Sequence, residues 1–166
     1  MIKNLAMAAL KCPGCGGSMQ RVFIKEVELD WCGACRGLWF DRGELRAALK
    51  MDGEVHVTRD HPASRCPKCS LRQGELWTST ISGTVVMACL ACAGCFVLES
   101  ALQRRSLQRG ALPLSFVCSR CGDRYALKEV RQSAGALWCE RCAPARVEPP
   151  PRPDLFRRLI SLLRGE

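Results

Sequence analysis

Residues 30–50 have the sequence DWCGACRGLWFDRGELRAALK, in which a Cys-x-x-Cys pair stands directly before the start of a helix. Asp41 as the N-cap and Glu44 three residues later form the pattern of a capping box. Phe40 and Leu45 flank that box with the spacing of a hydrophobic staple. The pattern predicts a short helix that packs on a core made by the residues before it.

The cysteine pairs repeat along the chain, because each of three units has two Cys-x-x-Cys pairs separated by 16, 19 or 17 residues. Two thiolates on one tight turn can chelate a metal ion, and a hairpin of this length brings the second pair to the same ion. The expected ligands are Cys12, Cys15, Cys32 and Cys35 in unit one, Cys66, Cys69, Cys89 and Cys92 in unit two, and Cys118, Cys121, Cys139 and Cys142 in unit three. We expect three zinc ions, with iron in the same cage or reversible disulfides as the alternatives.

The residues between the pairs predict β-hairpins. In unit one, apolar residues at every second position flank Lys25-Glu26 on both sides. In unit two, residues 76–98 carry no charge and are long enough to cross a bilayer. Their β-branched runs on either side of Ser82-Gly83 indicate a hairpin instead. Gly16 and Gly122, each directly after the second cysteine of a pair, are expected to allow the tight turn.

Unit one resembles the zinc-ribbon domain known as the transcription-factor-IIB-type zinc finger, over about residues 11–50. The residues that carry the resemblance are Cys12-Pro13-x-Cys15, Asp30-x-Cys32-x-x-Cys35-x-Gly37 and Trp39-Phe40-Asp41-x-Gly43-Glu44-Leu45. The resemblance implies a zinc-binding ribbon followed by a short helix, in a family commonly described as transcription-factor-like.

Units two and three depart from this pattern. Unit two resembles a degenerate copy, in which Ala93-Gly94 and Phe96 match Arg36-Gly37 and Trp39 but the capping box is lost. A shifted box, Ser100 with Gln103, is expected to start its helix, which would run to Gly110. Unit three keeps only the ribbon, because Ala143-Pro144 excludes a following helix.

The fold class expected is a small metal-stapled α+β protein of tandem zinc ribbons, that is, β-hairpins with zinc knuckles and short helices. Each unit is too small to be stable without metal. The predicted boundaries are ribbon one plus helix at 1–51, a polar linker at 52–65, ribbon two plus helix at 66–110, ribbon three at 116–143, a proline-rich linker at 144–153 and an amphipathic C-terminal helix at 154–165.

The N-terminal segment and the net charge of the chain bear on its cellular compartment and on the kind of partner it binds. The N-terminal apolar run is short and has one lysine before it, so we expect a cytoplasmic protein whose thiols stay reduced. The formal net charge is +9. Four thiolates with one Zn²⁺ carry a charge of −2, so three loaded sites bring the net charge to about +3. That is a weak electrostatic footprint for nucleic acid.

Three further groups of residues are candidate sites. A basic cluster that could contact nucleic acid comprises Arg104, Arg105, Arg109, Arg120, Arg124, Lys128 and Arg131. The apolar arc of the C-terminal helix comprises Leu155, Phe156, Leu159, Ile160 and Leu163; it could dock on the ribbons, on a partner or second copy, or on an anionic membrane surface. Cys95, the thirteenth cysteine, is expected to be buried and inert, with an alternative ligand and a reactive thiol as the other interpretations.

These patterns favour a non-enzymatic, zinc-binding adaptor with a protein partner. His56 and His61 lie in the polar linker and are redundant as ligands, since every site already has four cysteines. The sequence has no recognisable catalytic triad or phosphate loop, so we expect neither catalysis nor a small-molecule substrate. Nucleic-acid binding is the first alternative, and a thiol-redox or metal-handling role is the second.

Overall fold

The computed structural model of the chain describes residues 9–69, 74–106 and 112–144. Its strands are β1 (Gln20–Ile24), β2 (Val27–Trp31), β3 (Gly37–Phe40), β4 (His56–Val57), β5 (Ser64–Arg65), β6 (Glu75–Ile81), β7 (Thr84–Cys89), β8 (Cys95–Leu98), β9 (Leu114–Val117), β10 (Arg124–Ala126), β11 (Arg131–Ser133) and β12 (Ala136–Trp138). The helices are α1 (Glu44–Leu49) and α2 (Glu99–Ser106), with a 3-10 turn at Leu127–Glu129.

Ten of these strands form one antiparallel sheet in the order β10-β9-β1-β2-β3-β8-β7-β6-β4, with β5 also paired to β6. β11 and β12 form a separate hairpin. The predicted ribbons are therefore present, which confirms the expected fold class, and their strands are joined in a common sheet. Residues 52–65, expected as a polar linker, contribute β4 and β5 to that sheet.

The predicted hairpins form where the turn chemistry places them. β1 and β2 meet at Lys25-Glu26, where Lys25 has a φ of 56°, and β6 and β7 meet at Ser82-Gly83, with φ values of 48° and 75°. At Ser82-Gly83, the two consecutive left-handed residues match the right-handed twist of the flanking strands. The uncharged run in unit two is thus the β6–β7 hairpin and the strand after it, and within the described ranges no helix has the length and apolar character needed to cross a membrane.

The pairing of β3 with β8 joins units one and two. Trp39 is the fourth residue after Cys35, and Phe96 is the fourth after Cys92, so they hold equivalent positions in their units. They are also direct partners in the β3–β8 register. Since equivalent residues pair at the centre of this contact, the two units are related by an approximate two-fold axis that passes between Trp39 and Phe96. This arrangement resembles a symmetric dimer within one chain.

Both helices pack on the same buried core, to which α1 contributes Leu45 and Ala48 and α2 contributes Leu102. The start of α1 differs from the predicted capping box. Gly43 is the N-cap, with a φ of 85°, and no side chain caps the helix. Of the two hydrogen bonds that make up a capping box, only one forms: the Asp41 amide donates to the Glu44 carboxylate at 2.8 Å. The side chain of Asp41 is engaged elsewhere.

The start of α2 also differs from prediction. The helix begins at Glu99, so Ser100 lies inside its first turn and does not precede it. Gln103 donates to Glu99 at 2.8 Å, which ties the first turn together. Gly110, the expected end of this helix, lies outside the described residues.

Candidate metal centres

Three groups of four cysteines come together at the ends of the hairpins: Cys12, Cys15, Cys32 and Cys35; Cys66, Cys69, Cys89 and Cys92; and Cys118, Cys121, Cys139 and Cys142. The four sulfur atoms of each group lie within 4.8 Å of one another. Tetrahedral zinc with Zn–S bonds of about 2.3 Å places its sulfurs about 3.8 Å apart. The sulfur–sulfur separations of 3.5 Å for Cys12–Cys35 and for Cys15–Cys32, and of 3.7 Å for Cys66–Cys92, fit that geometry.

Each knuckle is a short backbone turn closed by amide hydrogen bonds. In unit one, the amide of Gly16 donates to the carbonyl of Cys12 at 2.8 Å, and that of Arg36 donates to Cys32 at 2.7 Å. The residue after the second cysteine has a positive φ of 75° at Gly16 and 77° at Gly122, as predicted, whereas Ala143 after Cys142 does not have a positive φ. Arg36 and Ala93 reach 57° and 58° at the corresponding positions without being glycine.

Ionisation of all four thiols in one group needs a nearby cation. In unit one, hydrogen bonds from Cys12 and Cys35 lower the pKa of Cys32, while the bond to Cys32 and then burial raise the pKa of Cys12 to about 12. The pKa of Cys35 is also raised, first by its bond to Cys12. Four crowded thiols therefore cannot all ionise unaided, and a divalent ion supplies the missing positive charge.

Backbone amides favour the thiolate form in unit three. Burial raises the pKa of Cys118, but hydrogen bonds from the amides of Cys121, Cys139 and Arg120 outweigh it and lower the pKa to about 6. The Cys139 amide lies 3.4 Å from the Cys118 sulfur. Four soft ligands with no open coordination position are typical of a structural zinc site.

Sites one and two share an aromatic wall. Cys12 and Cys32 from unit one and Cys66 and Cys89 from unit two belong to one buried cluster. The cluster also contains Trp39, Phe96, Met19 and Leu76. The two metal sites are thus packed against the same small core.

Two glycines make room for this wall. A Cβ atom on Gly37 would collide with the ring of Phe96, and one on Gly94 would lie 2.5 Å from Cζ2 of Trp39. Gly37 and Gly94 are equivalent in the two units, so each unit supplies a glycine to the other's aromatic ring. The alignment of unit two with unit one matched Gly94 with Gly37 and Phe96 with Trp39. It did not indicate that each ring packs on the glycine of the other unit.

Lys68, in the first knuckle of unit two, forms ion pairs with Asp41 at 3.2 Å and Asp30 at 3.6 Å in unit one. Asp41 also accepts a 2.8 Å hydrogen bond from the indole of Trp39. Burial raises the pKa of Asp30 more than Lys68 lowers it. The predicted helix cap is therefore an anchor between units, and Lys68 is a positioning residue that the sequence pattern did not identify.

A third ion pair, Arg36–Glu99, also joins units one and two. Arg36 donates to both carboxylate oxygens of Glu99 at 3.0 Å, and the Glu99 side chain is only 7 % exposed. Arg36 belongs to the second knuckle of site one, while Glu99 begins α2. This bidentate pair fixes the helix of unit two to the metal site of unit one.

Unit three contacts unit one through Gln132, which donates to the side chain of Gln20 at 2.6 Å and lies directly over Gly33. A Cβ atom on Gly33 would collide with the Gln132 amide. At site three, the hydroxyl of Tyr125 lies 3.7 Å from the Cys121 sulfur and accepts from Arg141 at 3.1 Å. The sequence pattern identified neither Gln132 nor Tyr125, since both are ordinary strand residues without metal-ligand spacing.

Cys95 lies outside all three groups. It pairs with Phe40 in the β3–β8 register, is 5 % exposed and belongs to the larger hydrophobic core. Burial, and then the Glu44 carboxylate, raise its pKa to about 12. These features support the buried, inert interpretation. His56 and His61 are exposed and belong to none of the three groups.

The basic cluster is divided by the fold. Arg124 lies 4.5 Å from the ring centroid of Phe23 and pairs with Glu26 at 3.1 Å, while Arg131 lies 3.5 Å from Glu140. Arg104, Arg120 and Lys128 are exposed. Arg109 and the helix residues Leu155, Phe156, Leu159, Ile160 and Leu163 lie outside the described residues, and the side chain of Arg105 is not described.

Comparison with known protein families identifies the first of the three units as a zinc ribbon. Residues 11–51 match the family described as transcription factor zinc-finger, the TFIIB-type zinc ribbon. No curated protein and no solved structure matches the chain. The first unit therefore matches the TFIIB-type zinc ribbon, and units two and three repeat its pattern of four cysteine ligands.

Proposed function

We propose that this protein is a non-enzymatic adaptor, in which three structural zinc sites hold a single sheet that binds a partner protein. The observation that carries the proposal is the closure of every site. Each has four cysteine ligands, which fill the tetrahedral coordination of zinc and leave no position for a substrate. Such an ion stabilises the fold and does not act on a ligand.

The arrangement of the units supports the same proposal. Zinc sites one and two share a wall, and three ion pairs and one strand pairing join their units. Unit three extends the sheet through β9 and rests on the knuckle of site one through Gln132. The metal sites thus serve to build one broad surface from three small ribbons, which is useful for recognition.

Affinity purification of the tagged full chain from its own cells, with and without nuclease treatment, tests this proposal. An adaptor should retain the same protein partner in stoichiometric amount after nuclease treatment. Retention of nothing, or of nucleic acid alone, would contradict the proposal.

Nucleic-acid binding is the second candidate, supported by the exposed side chains of Arg104, Arg120 and Lys128. Arg124 and Arg131 add less to this candidate function, because their guanidinium groups already form ion pairs with Glu26 and Glu140. If the basic cluster binds phosphates, affinity should fall steeply with salt, and the triple change Arg104→Ala, Arg105→Ala and Arg109→Ala should flatten that slope. No binding to DNA or RNA at low salt would dismiss this candidate.

A further inference from the structure

The approximate two-fold axis relates the two outer sides of the sheet as well as its centre. Phe23 is the second residue before the turn of the β1–β2 hairpin, and Thr80 is the second before the turn of the β6–β7 hairpin. Phe23 pairs with Ser115 of β9, and Thr80 pairs with His56 of β4. β4 therefore occupies on unit two the place that β9 occupies on unit one.

The two equivalent strands differ in what covers them. On β9, Leu114 is 6 % exposed and Phe116 is fully buried, because β10 pairs along the outer edge and brings Tyr125 opposite Phe116. Their counterparts beside and within β4 are Val55, 40 % exposed, and Val57, 44 % exposed. Within the described part of the chain, β6 is the only neighbour of β4.

The second knuckle of each unit shows the same contrast. Gly33 follows Cys32 and is covered by Gln132 of unit three. Its counterpart, Leu90, follows Cys89 and is 61 % exposed. Of six large apolar residues that are exposed within the described ranges, three therefore lie where unit two lacks the cover that unit three gives to unit one.

We infer that this surface, defined by Val55 and Val57 and called the β4 edge, binds an extended strand of a partner protein. The inference rests on the proposed adaptor function and locates its binding site. An incoming strand would pair with the outer edge of β4 as β10 pairs with β9, a recurring mode of peptide recognition. It would place one apolar side chain opposite Val57, as Tyr125 lies opposite Phe116.

Charge indicates a second feature of the partner strand. Beside Tyr125, Arg124 reaches Glu26 and the carbonyl of Lys25 at the turn of unit one. At the equivalent turn of unit two, Ser82 donates to the carbonyl of Asp52 at 2.6 Å. The Asp52 carboxylate pairs with Arg46 at 3.7 Å, and the acidic side chain of Glu54, two residues further on, is exposed. A basic residue adjacent to the apolar one would complement this acidic segment.

The test uses the full chain in its own cells with a photo-crosslinking residue in place of Val57. The crosslinked peptide is identified by mass spectrometry. The matched control carries the same residue in place of Val85, which is 59 % exposed on β7 but lies outside the β4 edge. We expect position 57, and not position 85, to crosslink to a partner segment that has adjacent basic and apolar residues.

A second arm compares Val57→Lys with Val85→Lys by affinity purification. Lysine on a strand edge opposes pairing, so Val57→Lys should reduce partner retention at least tenfold while Val85→Lys leaves it unchanged. Zinc content near three shows that both variants are folded. If the partner is retained equally by Val57→Lys, the β4 edge is not the site, although the adaptor function stands; if the wild type retains no protein, both proposals fail. A crosslink from position 57 to residues 145–166 of the same chain, or to a second copy, would also overturn the inference.

Discussion

Trp39 and Phe96 are direct partners in the antiparallel pair that joins units one and two, and each ring covers the other unit's glycine. Because the rings also border cysteines of both metal sites, this contact connects two zinc centres that are far apart in the sequence. The stability of the first two units should therefore depend on the small size of Gly37 and Gly94.

Changing Gly37 to Ala should lower the free energy of unfolding by about 2 kcal/mol, because the added methyl displaces the Phe96 ring in a packed core. Gly17→Ala is the matched control, since its Cβ would meet the sulfurs of Cys15 and Cys32 at ordinary contact distances of 3.5 and 3.6 Å. Chemical denaturation of the zinc-loaded proteins measures both. Equal stability of the two variants would contradict the shared wall.

The metal content should be close to three zinc ions per chain when the protein is purified without added metal. X-ray absorption should give sulfur-only coordination with Zn–S distances of about 2.3 Å. Cys89→Ala should retain about two ions, and Cys95→Ala should retain three. Iron absorption bands, a content near one ion, or disulfides in most thiols would contradict the three zinc sites.

The Arg36–Glu99 ion pair should contribute measurably to stability. Arg36→Ala leaves a buried carboxylate with a lost bidentate partner and should cost about 1–2 kcal/mol, a range reduced because the Arg36 side chain is 61 % exposed. The control is Arg21→Ala, since the Arg21–Glu28 pair is more than half exposed on both sides and should change stability by less than about 0.5 kcal/mol. Adding Glu99→Gln to Arg36→Ala should recover part of the loss, which a double-mutant cycle would detect.

Cys95 should make stability depend on pH in the alkaline range. Its pKa rises from 9.0 to about 12 on folding, so the unfolded chain loses its proton at a lower pH than the folded chain. The contribution of the protonated Cys95 thiol to the free energy of unfolding is therefore complete below about pH 9 and is lost as pH rises from about 9 to 12. Denaturation at pH 8 to 11 should show a steeper decline for wild type than for Cys95→Ala.

The same burial should protect Cys95 from thiol reagents. At pH 8 its thiolate is a very small fraction, and the side chain is 5 % exposed. Cys95→Ala should cost about 1 kcal/mol for the small cavity it leaves. Rapid labelling of Cys95 in the folded, zinc-loaded protein would contradict the inert interpretation.

The metal ligands and hairpins could be predicted from sequence because their constraints are local. A Cys-x-x-Cys pair must form a tight turn, and Ser82-Gly83 between β-branched runs must form a hairpin, whatever surrounds them. The relative placement of the units could not be predicted, because it depends on contacts such as Lys68 with Asp41 and Gln132 with Gly33. Such contacts join residues with no common spacing rule.

The capping box at Asp41 shows how a local prediction can be displaced. Asp41 and Glu44 have the right spacing, and Glu44 does accept from the Asp41 amide. The side chain of Asp41 instead binds Trp39 and Lys68, which only the neighbouring unit makes available. In the folded protein, tertiary contacts therefore engage the Asp41 side chain, which in an isolated helix would cap the helix N-terminus.

The Arg36–Glu99 pair also favours contact between unlike units over contact between like units. In unit one, the counterpart of Glu99 is Arg42, and in unit two, the counterpart of Arg36 is Ala93. If unit one paired with unit one of another molecule, Arg36 would meet a second arginine; if two copies of unit two met, Glu99 would have no cation. Only the pairing of unit one with unit two brings opposite charges together, and covalent linkage favours that pairing within one chain through a high effective concentration. The charges of the two units thus disfavour association between two copies of unit one or two copies of unit two.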